Sequence, residues 1–338
     1  MSQASGYAED RAPQATVLIT TKNRREDTLN AVRSAYAQTV PVEVLVIDDG
    51  STDGTAEAVR QAFPQARVDR SEQSRGYIVQ RNRGVAMASA PIVFSLDDDA
   101  VFSTPRVVEQ TLTEFDHPRV GAVAIPHINV NVLPGQHPGY GIGESASAAG
   151  ELRVVNSYIG CAHALRRDVF ISLGGYRELL VHQGEEMDYC LRMLAAGYVT
   201  RLGRADPVHH FVSPKRDNRR MTVYGVRNAL LYSWYNVPMP YLPLRLLGTT
   251  ANLVKFHCFK RPHPIWLVKG LLQFPWTILR GQDRRAPVPC RVYRLARRLD
   301  RQGATPLHEV EALLPPLRHQ PEPEQSHSRA AQQDSSPQ

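Results

Sequence analysis

The chain has 338 residues, of which 42% are hydrophobic and 22% charged, and its net charge is +7. This length is enough for one large domain with an appendage or for two domains. Residues 1–14 are polar and lack the apolar run of a secretory signal. The four cysteines are scattered and contain no CxxC pair, which argues against a zinc site or a disulfide framework. We therefore expect a cytoplasmic protein.

From residue 16 onward, apolar runs rich in β-branched residues alternate with segments of helical period. The runs predict strands at Val17–Thr20, Glu43–Ile47, Arg67–Val68 and Ile92–Leu96. Helices are predicted between them at Arg25–Ala37, Thr55–Phe63, with Asp53 as its N-cap, and Tyr77–Ala88. This alternation is typical of βαβ units, so we predict an α/β fold with a three-layer, mostly parallel sheet flanked by helices.

The second half of the chain begins with a stretch of low periodicity. Residues 126–150 are rich in Gly, Pro, Ser and Ala, which favours a long loop over the site. A strand at Val154–Ile159 and helices at Arg167–Leu173 and Glu185–Ala196 follow. We predict a catalytic domain at 14–236, a helical C-terminal extension at 237–314, and disordered ends at 1–13 and 315–338.

The positive charge is concentrated near the C-terminus. Residues 207–299 contain 17 Lys and Arg against Asp217 and Asp283, a net charge of +15, whereas residues 1–206 carry −5 and residues 300–338 carry −3. A basic segment of this kind favours anionic partners, namely membrane phospholipid, a lipid-linked pyrophosphate or nucleic acid.

Residues 265–279 form the most apolar run of this basic segment. Lys269, Gln273 and Pro275 interrupt it, so it falls short of the about 20 apolar residues that span a membrane, and we predict a buried or interfacial helix. Basic residues alternate there with aromatic and aliphatic ones: Trp266, Leu267, Phe274 and Trp276. This pattern motivates the hypothesis of a peripheral position at the inner face of the membrane, with packing on the catalytic domain as the alternative.

Four motifs follow one another along the chain. They are VIDDGSTDGT at 46–55, FSLDDD at 94–99, GEEMDYCLR at 184–192 and VHH at 208–210. Together they resemble glycosyltransferase family 2, the inverting enzymes of GT-A fold, over about residues 15–236. The resemblance implies transfer of a sugar from a nucleotide-diphosphate donor to a saccharide or lipid-linked acceptor, in the assembly of a cell-surface polysaccharide or glycolipid.

Carboxylates at the ends of parallel strands can accept hydrogen bonds from a nucleotide base or ribose. Asp49 matches the nucleotide-contacting carboxylate of the family, and Asp48 is its neighbour. The resemblance adds further donor-binding positions: Thr20, Thr21 and Lys22 after the first strand, and Arg81, whose guanidinium could neutralise phosphate.

Asp97, Asp98 and Asp99 follow a buried strand directly, and three adjacent carboxylates repel one another unless a cation offsets their charge. Mg²⁺ or Mn²⁺ prefers such oxygen ligands together with phosphate oxygens. The resemblance implies that Asp99 is the direct metal ligand, that Asp97 and Asp98 contact the donor, and that His210 is a second metal ligand.

Glu186 matches the second member of the acidic pair that supplies the catalytic base in the family, where it is usually Asp. The longer side chain leaves Glu185 as a second candidate. The resemblance therefore implies a single in-line displacement with inversion of configuration.

Two other functions remain as alternatives. A sugar-nucleotide nucleotidyltransferase would also use an α/β sheet and a metal-bound diphosphate, but residues 20–25 contain no glycine for its phosphate loop. A membrane- or nucleic-acid-binding protein on an inactive scaffold would explain the basic segment, and the full set of acids argues against inactivity. Among the anionic partners that the basic segment favours, nucleic acid is the one that we least expect.

Overall fold

The computed structural model describes residues 12–131, 139–140, 151–211, 217–260, 263–281 and 283–318. Most of the predicted disordered ends and of the loop predicted at 126–150 lies outside these ranges.

The strands lie mainly in the first two thirds of the chain. They are β1 Ala15–Thr21, β2 Val42–Asp48, β3 Arg67–Arg70, β4 Ile92–Asp97, β5 Ala100–Phe102, β6 Val120–Ala124, β7 His127–Asn129, β8 Gly139–Tyr140, β9 Arg153–Val155, β10 Ala162–Arg166, β11 Val199–Leu202, β12 Val208–His210 and β13 Thr305–Pro306.

The α-helices separate the strands and then dominate the C-terminal third. They are α1 Arg25–Tyr36, α2 Thr55–Ala62, α3 Tyr77–Met87, α4 Val107–Leu112, α5 Arg167–Ser172, α6 Glu185–Ala195, α7 Asn218–Asn236, α8 Leu242–Lys255, α9 Pro264–Arg280, α10 Cys290–Gln302 and α11 Leu307–Val310. A π-helical segment, Phe256–Lys260, continues α8, and short 3₁₀ turns lie at Thr113–Phe115, Glu178–Leu180 and Glu311–Leu313.

Within the described ranges the main sheet has nine strands in the order β13-β9-β11-β6-β10-β4-β1-β2-β3. Seven of the nine strands run in one direction. The other two, β9 and β10, run in the opposite direction, since each is antiparallel to both of its neighbours. The predicted α/β architecture is confirmed. The strand predicted at Val154–Ile159 is shorter, ending at Val155, and Gly54 rather than Asp53 occupies the N-cap position of α2.

Helices cover both faces of the sheet because its strands are apolar on both sides. Val17 and Ile19 of β1 pack in one core with α1 and α2, and Leu18 packs in the other core with α3. The two layers approach closely at Gly84, where an added Cβ would lie 2.3 Å from a methyl carbon of Leu18.

Two features place the site. Strands β1, β2 and β4 are neighbours and parallel, so their carboxyl ends meet at one edge of the sheet, where ligands bind in folds of this kind. A smaller sheet, β5-β12-β7-β8, crosses this edge and brings His210 opposite Ala100 and Asn129.

Part of the predicted C-terminal extension belongs to the body of the protein. β13 pairs with β9 at the edge of the main sheet, and α10 packs against α6. Residues just beyond it are also docked, since Arg119 donates to the carbonyl of Pro315. None of the helices in the described ranges combines the length and hydrophobicity that crossing a bilayer requires.

Candidate active site

A cavity of about 680 Å³ opens at the carboxyl ends of β1, β2 and β4. Most of the predicted site residues line it: Thr20, Thr21, Lys22, Asp49, Arg81, Asp97, Asp98, Asp99, Glu186 and His210. These residues come from positions up to 190 apart in the chain. The fold therefore gathers acidic, basic and hydroxyl groups around one space of ligand size.

Two predicted residues do not line the cavity. Asp48 is fully buried, and its Oδ1 accepts a hydrogen bond from the backbone N–H of Ser51, so it shapes the turn after β2. Glu185 is also fully buried and pairs with Arg81 behind the cavity wall. In each case the neighbouring acid, Asp49 or Glu186, faces the space instead.

The three consecutive aspartates differ in their partners. Asp97 pairs with Arg81 at 2.5 Å, whereas Asp98 and Asp99 share Arg24, whose Nη1 lies 3.1 Å from Asp98 Oδ1 and 2.6 Å from Asp99 Oδ2. Burial raises the pKa of Asp98 to about 7, against the lowering effect of Arg24. Two buried carboxylates thus compete for one guanidinium, which leaves the cluster short of positive charge.

His210 completes this cluster from β12. Its Nε2 lies 3.4 Å from Asp99 Oδ1, and its Nδ1 is 2.8 Å from the side-chain oxygen of Asn129. A hydrogen bond at one ring nitrogen orients the other, an arrangement common for histidines that bind metals. Burial would raise the pKa of Asp99, but the hydrogen bond and charge of His210, together with Arg24, lower it below its usual value.

The donor set at this end of the cavity is compatible with a divalent cation, since it offers carboxylate oxygens and an imidazole nitrogen. Ligand atoms of Asp97, Cys161 and His210 also lie within 4.8 Å of one another. Burial raises the pKa of the Cys161 thiol well above its usual value, which disfavours the thiolate that binds metals. Of this group, Asp97 and His210 carry the better-suited ligand atoms, and Asp99 lies beside them, with its Oδ1 3.4 Å from His210 Nε2.

Asp49 organises the loop on the other side of the cavity. Its carboxylate accepts hydrogen bonds from the backbone N–H groups of Arg75 and Gly76 and from the side chains of Ser74 and Gln80, at 2.6–3.0 Å. Burial would raise the pKa of Asp49, but these four donors lower it. Asp49 consequently stays ionised and fixes the segment 74–76, of which Ser74 and Gly76 line the cavity.

Arg81 lies at the centre of the site and is itself buried. Its guanidinium contacts Asp97 and Glu185 and lies 3.9 Å from Glu186 Oε1. These three partners are acidic, so Arg81 holds carboxylates together. Its predicted contact with phosphate stays a prediction. Burial and the charge of Glu185 raise the pKa of Glu186 to about 8, although Arg81 opposes them.

The loop that precedes α6 has a strained backbone. It sets the position of Glu186, in the first turn of α6, at the cavity. Val181 and Gln183 have positive φ angles of 61° and 68°, which side-chain-bearing residues rarely adopt. The side-chain amide of Asn228 donates to the carbonyl oxygens of Leu180, His182 and Gln183 at 2.7–2.9 Å. Asn228 thus stabilises this loop from α7.

Sequence comparison tests the predicted family. Residues 16–174 match the family model described as Glycosyl transferase family 2. These residues belong to glycosyltransferase family 2. The family predicted from the four motifs is confirmed. The matched residues include nearly all of β1, the whole of β2 and β4, and the acids that follow β2 and β4.

Curated relatives are named as glycosyltransferases or as polysaccharide-biosynthesis proteins. The succinoglycan biosynthesis protein ExoU of Rhizobium meliloti is 37% identical over 94 residues, which cover 27% of this chain and 28% of that protein. The glycosyltransferase AglE of Haloferax volcanii is 25% identical over 205 residues, which cover 55% and 63%. The chain thus matches less than two thirds of the length of these two relatives.

Solved structures show the same fold at low sequence identity. The mannosyltransferase PcManGT from Pyrobaculum calidifontis, in complex with GDP-Man and Mn²⁺, aligns with a TM-score of 0.53 at 20% identity over 81% of this chain and 77% of that chain. S. aureus TarS 1-349 in complex with UDP-GlcNAc aligns with a TM-score of 0.57 at 15% identity over 85% and 88%. The predicted GT-A fold is confirmed.

Proposed function

We propose that the protein is an inverting, metal-dependent glycosyltransferase that moves a sugar from a nucleotide-diphosphate donor to an acceptor hydroxyl. One observation carries the proposal: Asp49, the Asp97–Asp99 run, Glu186 and His210 surround a single cavity. A donor that spans this cavity would meet the loop fixed by Asp49 at one end and Glu186 near its sugar.

In the proposed reaction, Glu186 accepts the proton of the acceptor hydroxyl. The hydroxyl oxygen forms a bond to the anomeric carbon while the bond from that carbon to the diphosphate oxygen breaks, so the nucleoside diphosphate leaves and the configuration inverts. A pKa of about 8 suits Glu186 for this step, because a base is most effective when its pKa is close to the working pH.

Asp99 and His210 would hold the divalent cation, and Asn129 would keep the imidazole in position. When bound, Mg²⁺ or Mn²⁺ supplies positive charge next to the departing diphosphate. Arg24 already places a cation at the same carboxylates, which supports the inference that this part of the cavity requires positive charge.

The donor would be a UDP-, dTDP- or GDP-sugar that transfers a hexosyl or deoxyhexosyl group. The relatives active in polysaccharide synthesis support an acceptor of the same kind, a saccharide or a lipid-linked glycan in cell-surface polysaccharide or glycolipid assembly. A lipid-linked acceptor would bring the enzyme to the cytoplasmic face of a membrane.

Nucleotide release tests this function. Purified protein with Mn²⁺ or Mg²⁺ is incubated with a panel of UDP-, dTDP- and GDP-sugars and an acceptor mixture, and the anomeric configuration of the product is determined by NMR. We expect one donor class to be consumed with inversion, and Glu186→Gln to bind that donor but not transfer it. A retained configuration, or transfer by Glu186→Gln at the wild-type rate, would refute the proposed mechanism.

A further inference from the structure

The exposed hydrophobic side chains of the protein are concentrated on the C-terminal helices. Of 17 large hydrophobic side chains that are exposed in the described residues, 10 lie between Leu244 and Leu279. Scattered surface hydrophobic residues need no explanation, but a concentration of this kind marks an interaction surface.

The outward side of α9 is apolar along its length. Its exposed side chains recur every three or four residues, at Ile265, Val268, Leu272, Trp276 and Leu279. Residues at this spacing share one face of a helix. We call these five side chains the α9 apolar face. Leu272 is 67% exposed and Leu279 is 80% exposed, so the described part of the chain leaves this face largely uncovered.

The opposite side of α9 already supplies the packing that the fold needs. Leu267 and Gly270 are buried, and α9 lies so close to α7 that a Cβ on Gly270 would come within 2.7 Å of Val226. Phe274 packs on this inner side, whereas Trp276 points outward. The α9 apolar face is therefore additional to the core.

The surroundings of this face are basic. Residues 218–282 contain nine Lys and Arg and no Asp or Glu. Lys269 is exposed on α9, and the guanidinium of Arg280 lies 3.8 Å from the ring centre of Trp276. A helix with apolar side chains on its outward face, an exposed tryptophan and only positive charge is suited to the surface of an anionic bilayer.

Membrane is favoured over the other anionic partners because of these apolar side chains. Nucleic acids are bound mainly by positive charge and polar groups, which do not require five aliphatic or aromatic residues in solvent.

The neighbouring helix α8 adds Leu244 and Leu247, which are 76% and 68% exposed. The helix α7, against which α9 packs, begins beside the cavity, which Arg220 and Met221 line.

We propose that the α9 apolar face rests in the headgroup region of a bilayer that contains anionic lipid, and that the basic residues around it hold the protein there. This binding is independent of sugar transfer, so its test does not rely on the proposed reaction.

Co-sedimentation with vesicles at low salt tests the proposal on the full chain. We expect roughly tenfold stronger binding to phosphatidylcholine vesicles containing phosphatidylglycerol than to phosphatidylcholine alone, and a blue shift of tryptophan fluorescence on binding. Leu272→Glu/Leu279→Glu should reduce binding to the level of neutral vesicles, and Lys269→Gln should weaken it roughly fivefold. Ile171→Glu, at an exposed position on α5, is the matched control and should bind as wild type.

Three outcomes would overturn the proposal. One is wild-type vesicle binding by Leu272→Glu/Leu279→Glu, which would place the contact elsewhere. Another is a dimer in light scattering that the same double substitution dissociates, which would assign the face to a second copy. The third is tighter binding to duplex DNA than to anionic vesicles at the same salt concentration.

Discussion

The guanidinium of Arg24 lies 2.6 Å from Asp99 Oδ2, on the carboxylate whose other oxygen lies 3.4 Å from His210 Nε2. The carboxylate of Asp99 is thus shared between the guanidinium of Arg24 and the imidazole of His210. A divalent ion bound by Asp99 and His210 would compete with Arg24 for negative charge, which gives this contact a measurable consequence.

Arg24→Ala should make the protein more responsive to metal. Without Mn²⁺ the variant should melt at a lower temperature than wild type, because Asp98 and Asp99 lose their cationic partner. Added Mn²⁺ should then raise its Tm more than that of wild type, by an extra amount on the order of a few degrees. Differential scanning fluorimetry with EDTA and with Mn²⁺ measures both values. Arg25→Ala, an exposed neighbour, is the control, and equal Mn²⁺ shifts in all three proteins would contradict the prediction.

Asp99→Asn should lose both metal-dependent stabilisation and transfer. The amide keeps the shape of the side chain but removes the charge that faces His210, so turnover should fall on the order of 10³-fold, equivalent to several kcal/mol of lost charge stabilisation. Isothermal titration with Mn²⁺ and a nucleotide-release assay check this. Asp69→Asn, which removes a pair with Arg83 outside the cavity, should leave both properties unchanged.

The rate should depend on the ionisation of Glu186, whose pKa is raised to about 8 by burial and by Glu185. The deprotonated form accepts the proton, so kcat/KM should fall about tenfold per pH unit below about 8 and level off above it. Glu185→Gln removes a negative charge beside Glu186, which lowers its pKa and should shift the profile to lower pH. Glu178→Gln serves as control, and an unshifted profile in Glu185→Gln would argue against Glu186 as the base.

Gly160→Ala should lower the turnover while leaving the thermal stability nearly unchanged. An added Cβ would lie 2.7 Å from Glu186 Oε1 and 3.0 Å from the Arg81 guanidinium. These atoms are the ends of side chains and can move aside, so Tm should change little. The displaced carboxylate should cost about tenfold to a hundredfold in turnover. Gly248→Ala, at a position with open space, is the control, and full activity of Gly160→Ala would show that the carboxylate position is not critical.

Asn228→Ala should disturb catalysis through the loop that precedes Glu186. It removes three hydrogen bonds to backbone carbonyls that hold the strained residues Val181 and Gln183. Loss of buried partners costs about 1–3 kcal/mol each when no water replaces them, and the loop should relax. We expect a lower kcat, and proteolysis or hydrogen exchange should show faster opening at 180–184. Asn252→Ala on the exposed side of α8 should change neither property.

The sequence predicts the fold and most of the cavity for one physical reason. Parallel strands end at the same edge, so the acids that follow β2 and β4 must meet there. Asp48 differs from Asp49 because β2 continues through Asp48, and successive side chains alternate between faces of a strand. One of two adjacent acids therefore faces away from the cavity, and it is Asp48 rather than Asp49, the acid that matches the family pattern.

The contacts of Arg24, Gly160 and Asn228 could not be predicted in the same way. Each acts on residues between 26 and 79 positions away, across turns whose path depends on packing. The positive φ angles at Val181 and Gln183 also leave no mark in composition. The Pro or Gly content that usually indicates a tight loop is present there only at Gly184.

The pairing of β13 with β9 bears on how the protein can be shortened. Thr305 and Pro306 cover the backbone of Val154 and Arg153 at the border of the main sheet. A fragment that ends before residue 305 would present this border to solvent as an unpaired strand, which other chains can extend by hydrogen bonding. Such a fragment should therefore be prone to self-association, and expression trials should retain the C-terminal strand.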